Sequence, residues 1–193
     1  MRTTCFLIGA LLMVSLSSCK DKNKSIYEGA CGVEAILDTV AMTIKLYNHD
    51  AVLVDSNVTA RVFIPNIFVP DSINYDNNFF LICGIYVLEV VSAKYTSESG
   101  ETIFEHQNFQ AYDTGEAWQG KKANGDFYYG IFDYEITIRF LNGQTKTYHG
   151  RACSYKCGQD GFPTENLPNC FFPSQNNGYG GFDPSLYIPN MCF

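Results

Sequence analysis

Apolar and polar residues alternate with a period of two along most of the chain. From Asp38 to Tyr47, Val40, Met42, Ile44 and Leu46 fall on one side and Ala41, Thr43, Lys45 and Tyr47 on the other, which predicts a half-buried strand. Asn48-His49-Asp50 supplies a turn, and Val58, Ala60, Val62 and Ile64 then alternate with Thr59, Arg61 and Phe63 in a second strand. Pro65 and Pro70 close it, because neither has an N–H to offer a central ladder. The apolar run from Phe79 to Tyr95 predicts one long strand with Gly84 as a bulge or bend. The cluster Ser97-Glu98-Ser99-Gly100 then turns the chain into a strand near Thr102 to Tyr112.

A hairpin signal follows: Asp133 to Leu141, then Asn142-Gly143, then Gln144 to Arg151. Asn-Gly between two strand-like runs favours a two-residue type I′ turn, whose central residues both need positive φ. Such a loop sets Leu141 opposite Gln144, Ile138 opposite Thr147 and Ile136 opposite His149, so His149 is expected on the apolar face as a core histidine. Seven or eight such strands predict an all-β fold, an antiparallel β-sandwich. Its layers are expected to be immunoglobulin-like, without that family's signature. Cys83 precedes Trp118 by 35 residues, and Arg151 rather than Tyr stands two before Cys153.

The alternation stops near residue 153. From there to Phe193 the chain holds five of its seven Pro, five Gly, five Asn and four Cys, with only four charged residues. An unstapled loop of that length is rare in a compact domain, so an irregular, Cys-rich cap packed on the sandwich is expected. The sandwich itself is assigned to 29–152 and the cap to 153–193.

Composition narrows the class of partner. Phe (15) and Tyr (13) are abundant, as a pleated, half-buried surface favours. Lys plus Arg number 13 against 20 Asp plus Glu, for a net charge of −7, which offers no basic footprint and excludes nucleic-acid binding.

Residues 1 to 19 place one positive charge at Arg2, an apolar run from Phe6 to Leu16, and small residues before Cys19. That run of 11 residues is too short to span a bilayer. Leu16-Ser17-Ser18-Cys19 resembles the lipobox of bacterial lipoproteins. The resemblance implies a signal peptide over 1–18, cleavage before Cys19, and attachment to the membrane by acyl chains such as palmitate on Cys19. Each buried CH₂ contributes about 0.8 kcal/mol, so two or three chains hold a protein on a bilayer almost permanently. Lys20 resembles the residue after Cys in lipoproteins sent to the outer membrane, periplasmic or surface-facing. The polar stretch 19–28 is expected to be a tether.

With Cys5 in the signal and Cys19 lipidated, six cysteines are left: Cys31, Cys83, Cys153, Cys157, Cys170 and Cys192. An even count in an exported chain predicts disulfides, with 15 pairings open. A zinc site of Cys153, Cys157, Cys170 and His149 fits less well, because only Cys153 and Cys157 have the spacing of a ligand pair.

Trp118 lies on a Gly-rich connection beside Asp and Glu, with Tyr112 before it and Tyr128 and Tyr129 after it. Flat aromatic faces next to polar forks suit a glycan, so these four residues are the candidate ligand site, against the alternative that a lone Trp packs in the core. Asp71 to Asn78 offers many oxygens but no calcium spacing, and reads as a solvated turn. His49, His106 and His149 lie far apart, and no nucleophile or metallohydrolase motif accompanies them. No catalytic residue, metal or cofactor is expected. The expectation is a non-enzymatic, envelope-anchored module for a glycan or protein ligand, with a structural subunit of a surface assembly as alternative and a hydrolase third.

Overall fold

The computed structural model describes residues 35–157, 170–183 and 185–186. Among the described residues eight strands occur in chain order: β1 (Ile36–Tyr47), β2 (Leu53–Ile64), β3 (Ile67–Phe68), β4 (Cys83–Ile85), β5 (Val87–Ser97), β6 (Thr102–Phe109), β7 (Gly130–Phe140) and β8 (Thr145–Ser154). They form an all-β sandwich of two sheets, one ordered β1-β2-β4 and the other β3-β8-β7-β5-β6. All paired neighbours run antiparallel except β3, which lies parallel to β8 over two residues.

The period-two rows meet in the core. Met42, Ala60, Val62 and Ile64 face Val90, Ala93, Ile136, Ile138 and Tyr148 in one buried cluster. Each large side chain there contributes about 1.5–3 kcal/mol by leaving water. Phe68, Phe80, Tyr95, Phe132 and Trp118 fill one end of it with tilted and edge-on ring contacts at 5.0–6.3 Å.

Two local expectations are corrected. The run Phe79–Tyr95 is two strands in two different sheets, and the chain crosses between them at Tyr86, whose φ is 58°. Gly84 makes no bulge, since Arg61, Val62 and Phe63 pair in unbroken register with Ile85, Gly84 and Cys83. Its missing side chain serves the crossing, because a Cβ there would stand 2.6 Å from Val87 Cγ2.

The β7–β8 hairpin has three loop residues, not two. Phe140 N–H donates to Gln144 O, Gly143 N–H donates to Phe140 O, and Gly143 alone takes positive φ, at 85°. This is a type I turn followed by a left-handed residue. The Asn142 side chain favours it by accepting the Gln144 N–H at 3.0 Å. The register therefore pairs Ile136 with Tyr148 and Glu135 with His149. A slip of one residue turns every side chain over, so Tyr148 enters the core and His149 lies exposed beside Glu135 at 3.7 Å.

β8 runs to Ser154, two residues into the segment assigned to the cap. Of that segment, Phe171 and Phe182 pack edge to face at 4.6 Å, and Phe182 lies 6.0 Å from Phe63. That cover explains why Phe63 is buried although it points away from the main core. The signal peptide 1–18, Cys19, the tether 19–28, Cys31, Cys192 and the rest of the cap lie outside the described residues.

The cysteine expectation is corrected at two positions. Cys83 and Cys153 keep their thiols, both buried, each in an apolar cluster where Cys behaves as a small hydrophobe. Burial pushes the Cys153 thiol up to about 12 and the Cys83 thiol upward as well. Cys157 and Cys170 are disulfide-bonded.

Candidate functional site

The four aromatic candidates do not form one platform. Trp118 is 2% exposed, and its indole N–H donates to Lys121 O at 2.8 Å, so the core alternative holds for it. Tyr128 turns inward, 6.1 Å from Trp118, with its hydroxyl donating to Ile131 O. Tyr112, at φ 64°, is half-buried and accepts the Gly180 N–H with its hydroxyl at 2.9 Å. Tyr129, half-buried like Tyr112 and Tyr128, packs beside the exposed Phe127. Their rings tilt at 44°, and Lys156 and Lys121 place ammonium groups 5.5 Å from the Tyr129 and Phe127 centroids. Asp71 accepts from the Tyr129 hydroxyl at 3.2 Å and from the Cys157 N–H at 3.1 Å. Burial beside Asp71 pushes the Tyr129 hydroxyl up to about 12. The protein's own cations cover the faces a sugar would need, and two tilted rings offer no flat ledge.

The histidines form three separate pairs: His49 with Asp50 at 3.5 Å, His106 with Glu116 at 2.5 Å and His149 with Glu135 at 3.7 Å. The Asp71–Asn78 segment is held by its own turns, with Ser72 Oγ accepting from Asn74 N–H and Asn74 Oδ1 from Asp76 N–H. Among the described residues no cluster of His, Cys, Asp and Glu could hold a metal ion, and no helix is long and apolar enough to cross a membrane.

The sheet edges differ from one another. An edge strand exposes a row of unpaired N–H and C=O groups, and proteins blunt such rows with short strands, bulges, charge or cover. Three of the four edges here are blunted. β3 has two residues, followed by Val69, whose N–H donates to Asn77 O. β4 has three, and Gly180 lies over the seam between β2 and β4, where a Cβ would stand 2.7 Å from both Arg61 O and Ile85 N. β6 pairs through a register shift at Tyr95/Thr96, contains Asn108 at φ 59°, carries exposed Glu105, and has His106 tied to Glu116.

Of these devices β1 has only charge, at Asp38 and Lys45. It runs 12 residues without a break in register, without Pro and without cover among the described residues. Asn48 N–H donates to Val52 O, which makes that a hydrogen-bonded pair and fixes the alternation along the hairpin. Even-numbered residues of β1 therefore turn their backbone groups toward β2. Leu37, Thr39, Ala41, Thr43, Lys45 and Tyr47 turn theirs outward, and all six side chains are exposed. Its charges are neutralised inside the protomer, Asp38 by Lys146 at 2.7 Å and Lys45 by Asp55 at 3.4 Å. Leu37, at the start of the strand, is 53% exposed; Tyr47, at its end, is 74% exposed, with Leu46, Val52 and Leu53 exposed around the β1–β2 turn. A shallow recess of about 300 Å³, bordered by Ala41, Thr43, Asn57 and Thr59, lies midway along this hairpin.

No protein-family model matches the chain, and no curated protein matches it.

Proposed function

We propose that this chain is a lipid-anchored protein of the outer membrane whose folded part is a non-enzymatic interaction module, and that it takes a partner's strand along β1. The lipobox-like Leu16-Ser17-Ser18-Cys19 supports the anchor, and Lys20 supports the outer membrane as its destination. The six outward backbone positions of β1 carry the reading of the module. Strand addition satisfies such a row with main-chain hydrogen bonds and reads alternate side chains of the added segment. A protein ligand fits this edge better than a glycan fits the aromatic residues, because Trp118 is enclosed and the surface rings are capped by lysine. Disulfide-bonded Cys157 and Cys170 fit an oxidising envelope, and the segment after Cys170 covers Phe63 and the β2–β4 seam.

Amide hydrogen exchange tests the module. The N–H groups of Thr39, Ala41, Thr43 and Lys45 are expected to exchange fast in the purified chain diluted to the monomer and to slow at least about tenfold in intact envelopes, while Met42 and Ile44 are slow in both. Fast exchange of the odd-numbered amides in both settings would overturn it. The anchor has its own test, since Cys19→Ala is expected to release the protein from the membrane and to abolish incorporation of labelled palmitate.

A further inference from the structure

We infer that the strand β1 accepts is β1 of a second copy of this chain, running antiparallel about a two-fold axis through Met42; this rests on the strand-addition reading above. The first ground is charge. The chain carries −7, so a partner surface of the same protein is repelled unless the contact itself is neutral. β1 supplies such a contact, with Asp38 bonded to Lys146 and Tyr148, and Lys45 paired with Asp55.

The second ground is register. In an antiparallel pair, residues opposite each other share a face, and the outward backbone groups belong to odd positions, so odd must meet odd. With Met42 on the axis, Leu37 lies opposite Tyr47, Thr39 opposite Lys45, Ala41 opposite Thr43, and Val40 opposite Ile44. The two most exposed apolar side chains of the strand, Tyr47 and Leu37, thereby cover each other twice per pair. No like charges face each other. Moving the axis to Ala41 would set Leu37 against Lys45 and leave Tyr47 beyond the partner's strand. The pairing makes one continuous six-stranded sheet, β4-β2-β1 joined to β1-β2-β4 of the second copy, with both apolar faces on the same side.

Sedimentation of the full chain in detergent micelles, over a range of concentrations, tests this. A dimer is expected. Ala41→Pro removes an outward N–H and leaves the β1–β2 ladder intact, so it is expected to raise the dissociation constant at least about tenfold. Thr39→Glu, which faces Lys45 of the second copy, is expected to tighten the dimer, and Thr39→Lys to weaken it. A dimer that survives Ala41→Pro, or equal effects of Glu and Lys at position 39, would overturn the inference. So would a chain monomeric at every concentration; if its odd β1 amides were still slowed in envelopes, strand addition from a different protein would stand and self-pairing alone would fall.

Discussion

Tyr148 of β8 donates its hydroxyl to the Asp38 carboxylate of β1 at 2.7 Å, joining the two sheets across the open end of the sandwich. Lys146 Nζ reaches the same oxygen at 2.7 Å. Burial works to raise the Asp38 pKa, but the hydrogen bonds from Lys146 and Tyr148 and the lysine charge outweigh it, so the net shift is downward. A carboxylate held low in the folded state binds fewer protons than in the unfolded chain. The stability it contributes is present above the unfolded value, near 4, and is lost as pH falls through the lower folded value. Asp38→Asn is therefore expected to lower stability at pH 7 and to flatten the acid limb below about pH 4. Urea unfolding at pH 7 and at pH 3 checks this, and an equal loss at both would remove the ion from the account.

Two hairpins share one turn geometry with different residues at its strained position. Asn48 N–H bonds to Val52 O and Ala51 N–H to Asn48 O, just as Phe140 bonds to Gln144 and Gly143 to Phe140. The left-handed residue is Gly143 at φ 85° in one and Ala51 at φ 57° in the other. A side chain in that conformation costs roughly 1 kcal/mol. Ala51→Gly is thus expected to stabilise by a few tenths to about 1 kcal/mol, and Gly143→Ala to destabilise by about 1 kcal/mol. Thermal unfolding of the pair measures both signs.

The contrast shows where sequence reasoning stops. β1 and β2 were legible because one face of each is buried, which forces the alternation, whereas β6 was legible from the Ser97–Gly100 turn before it. Asn142-Gly143 was ambiguous by one residue, since Gly143 takes the left-handed conformation in either turn, and the choice lay in a side-chain bond from Asn142 to the Gln144 amide. Tyr86, which carries the chain between sheets, looks like any apolar residue in a run. Trp118 sits among glycines and polar residues in the chain, but Phe80 N–H bonds its carbonyl and draws it under the aromatic cluster. Which strand forms an open edge depends on the others, here the two and three residues of β3 and β4 and the Glu116 contact on β6, and no local pattern carries that.

Among the described residues the Tyr134 hydroxyl is buried without a hydrogen-bond partner, and it lies against Gly150, where a Cβ would stand closer than any contact permits. An unpaired buried hydroxyl costs about 1–3 kcal/mol, and its removal recovers part of that cost. Tyr134→Phe is expected to raise stability by about 1 kcal/mol, and Gly150→Ala to lower it by more. Chemical denaturation of both variants decides; a destabilised Tyr134→Phe would mean that the hydroxyl is bonded in solution.

Cys83 and Cys153 are expected to resist thiol reagents in the folded protein, being buried and holding their protons. Peptide mapping after alkylation at pH 8, with and without denaturant, reads this directly. Rapid native labelling of either would show that its cluster opens. The sign of the pH dependence follows from the raised values: the unfolded thiols ionise near 8.5, so stability is full below that pH and falls as pH rises toward the folded value of Cys153, about 12.

The parity of β1 makes a prediction about the isolated protein that needs no partner. Odd and even residues alternate in where their N–H groups point, and the Asn48 to Val52 bond sets which is which. Proline at an odd position removes an amide that faces away from β2. At an even position it removes a ladder bond and leaves a carbonyl of β2 unsatisfied. Ala41→Pro is expected to change the unfolding free energy by no more than about 1 kcal/mol, and Met42→Pro to lower it by about 2–4 kcal/mol. Met42→Ala measures the part of that loss due to the buried side chain, and the remainder belongs to the ladder. Thr39→Pro should behave like Ala41→Pro, and Val40→Pro like Met42→Pro. If position 41 proved as costly as 42, the outward row would be bonded to something within the protomer, and the open edge on which strand addition depends would not exist.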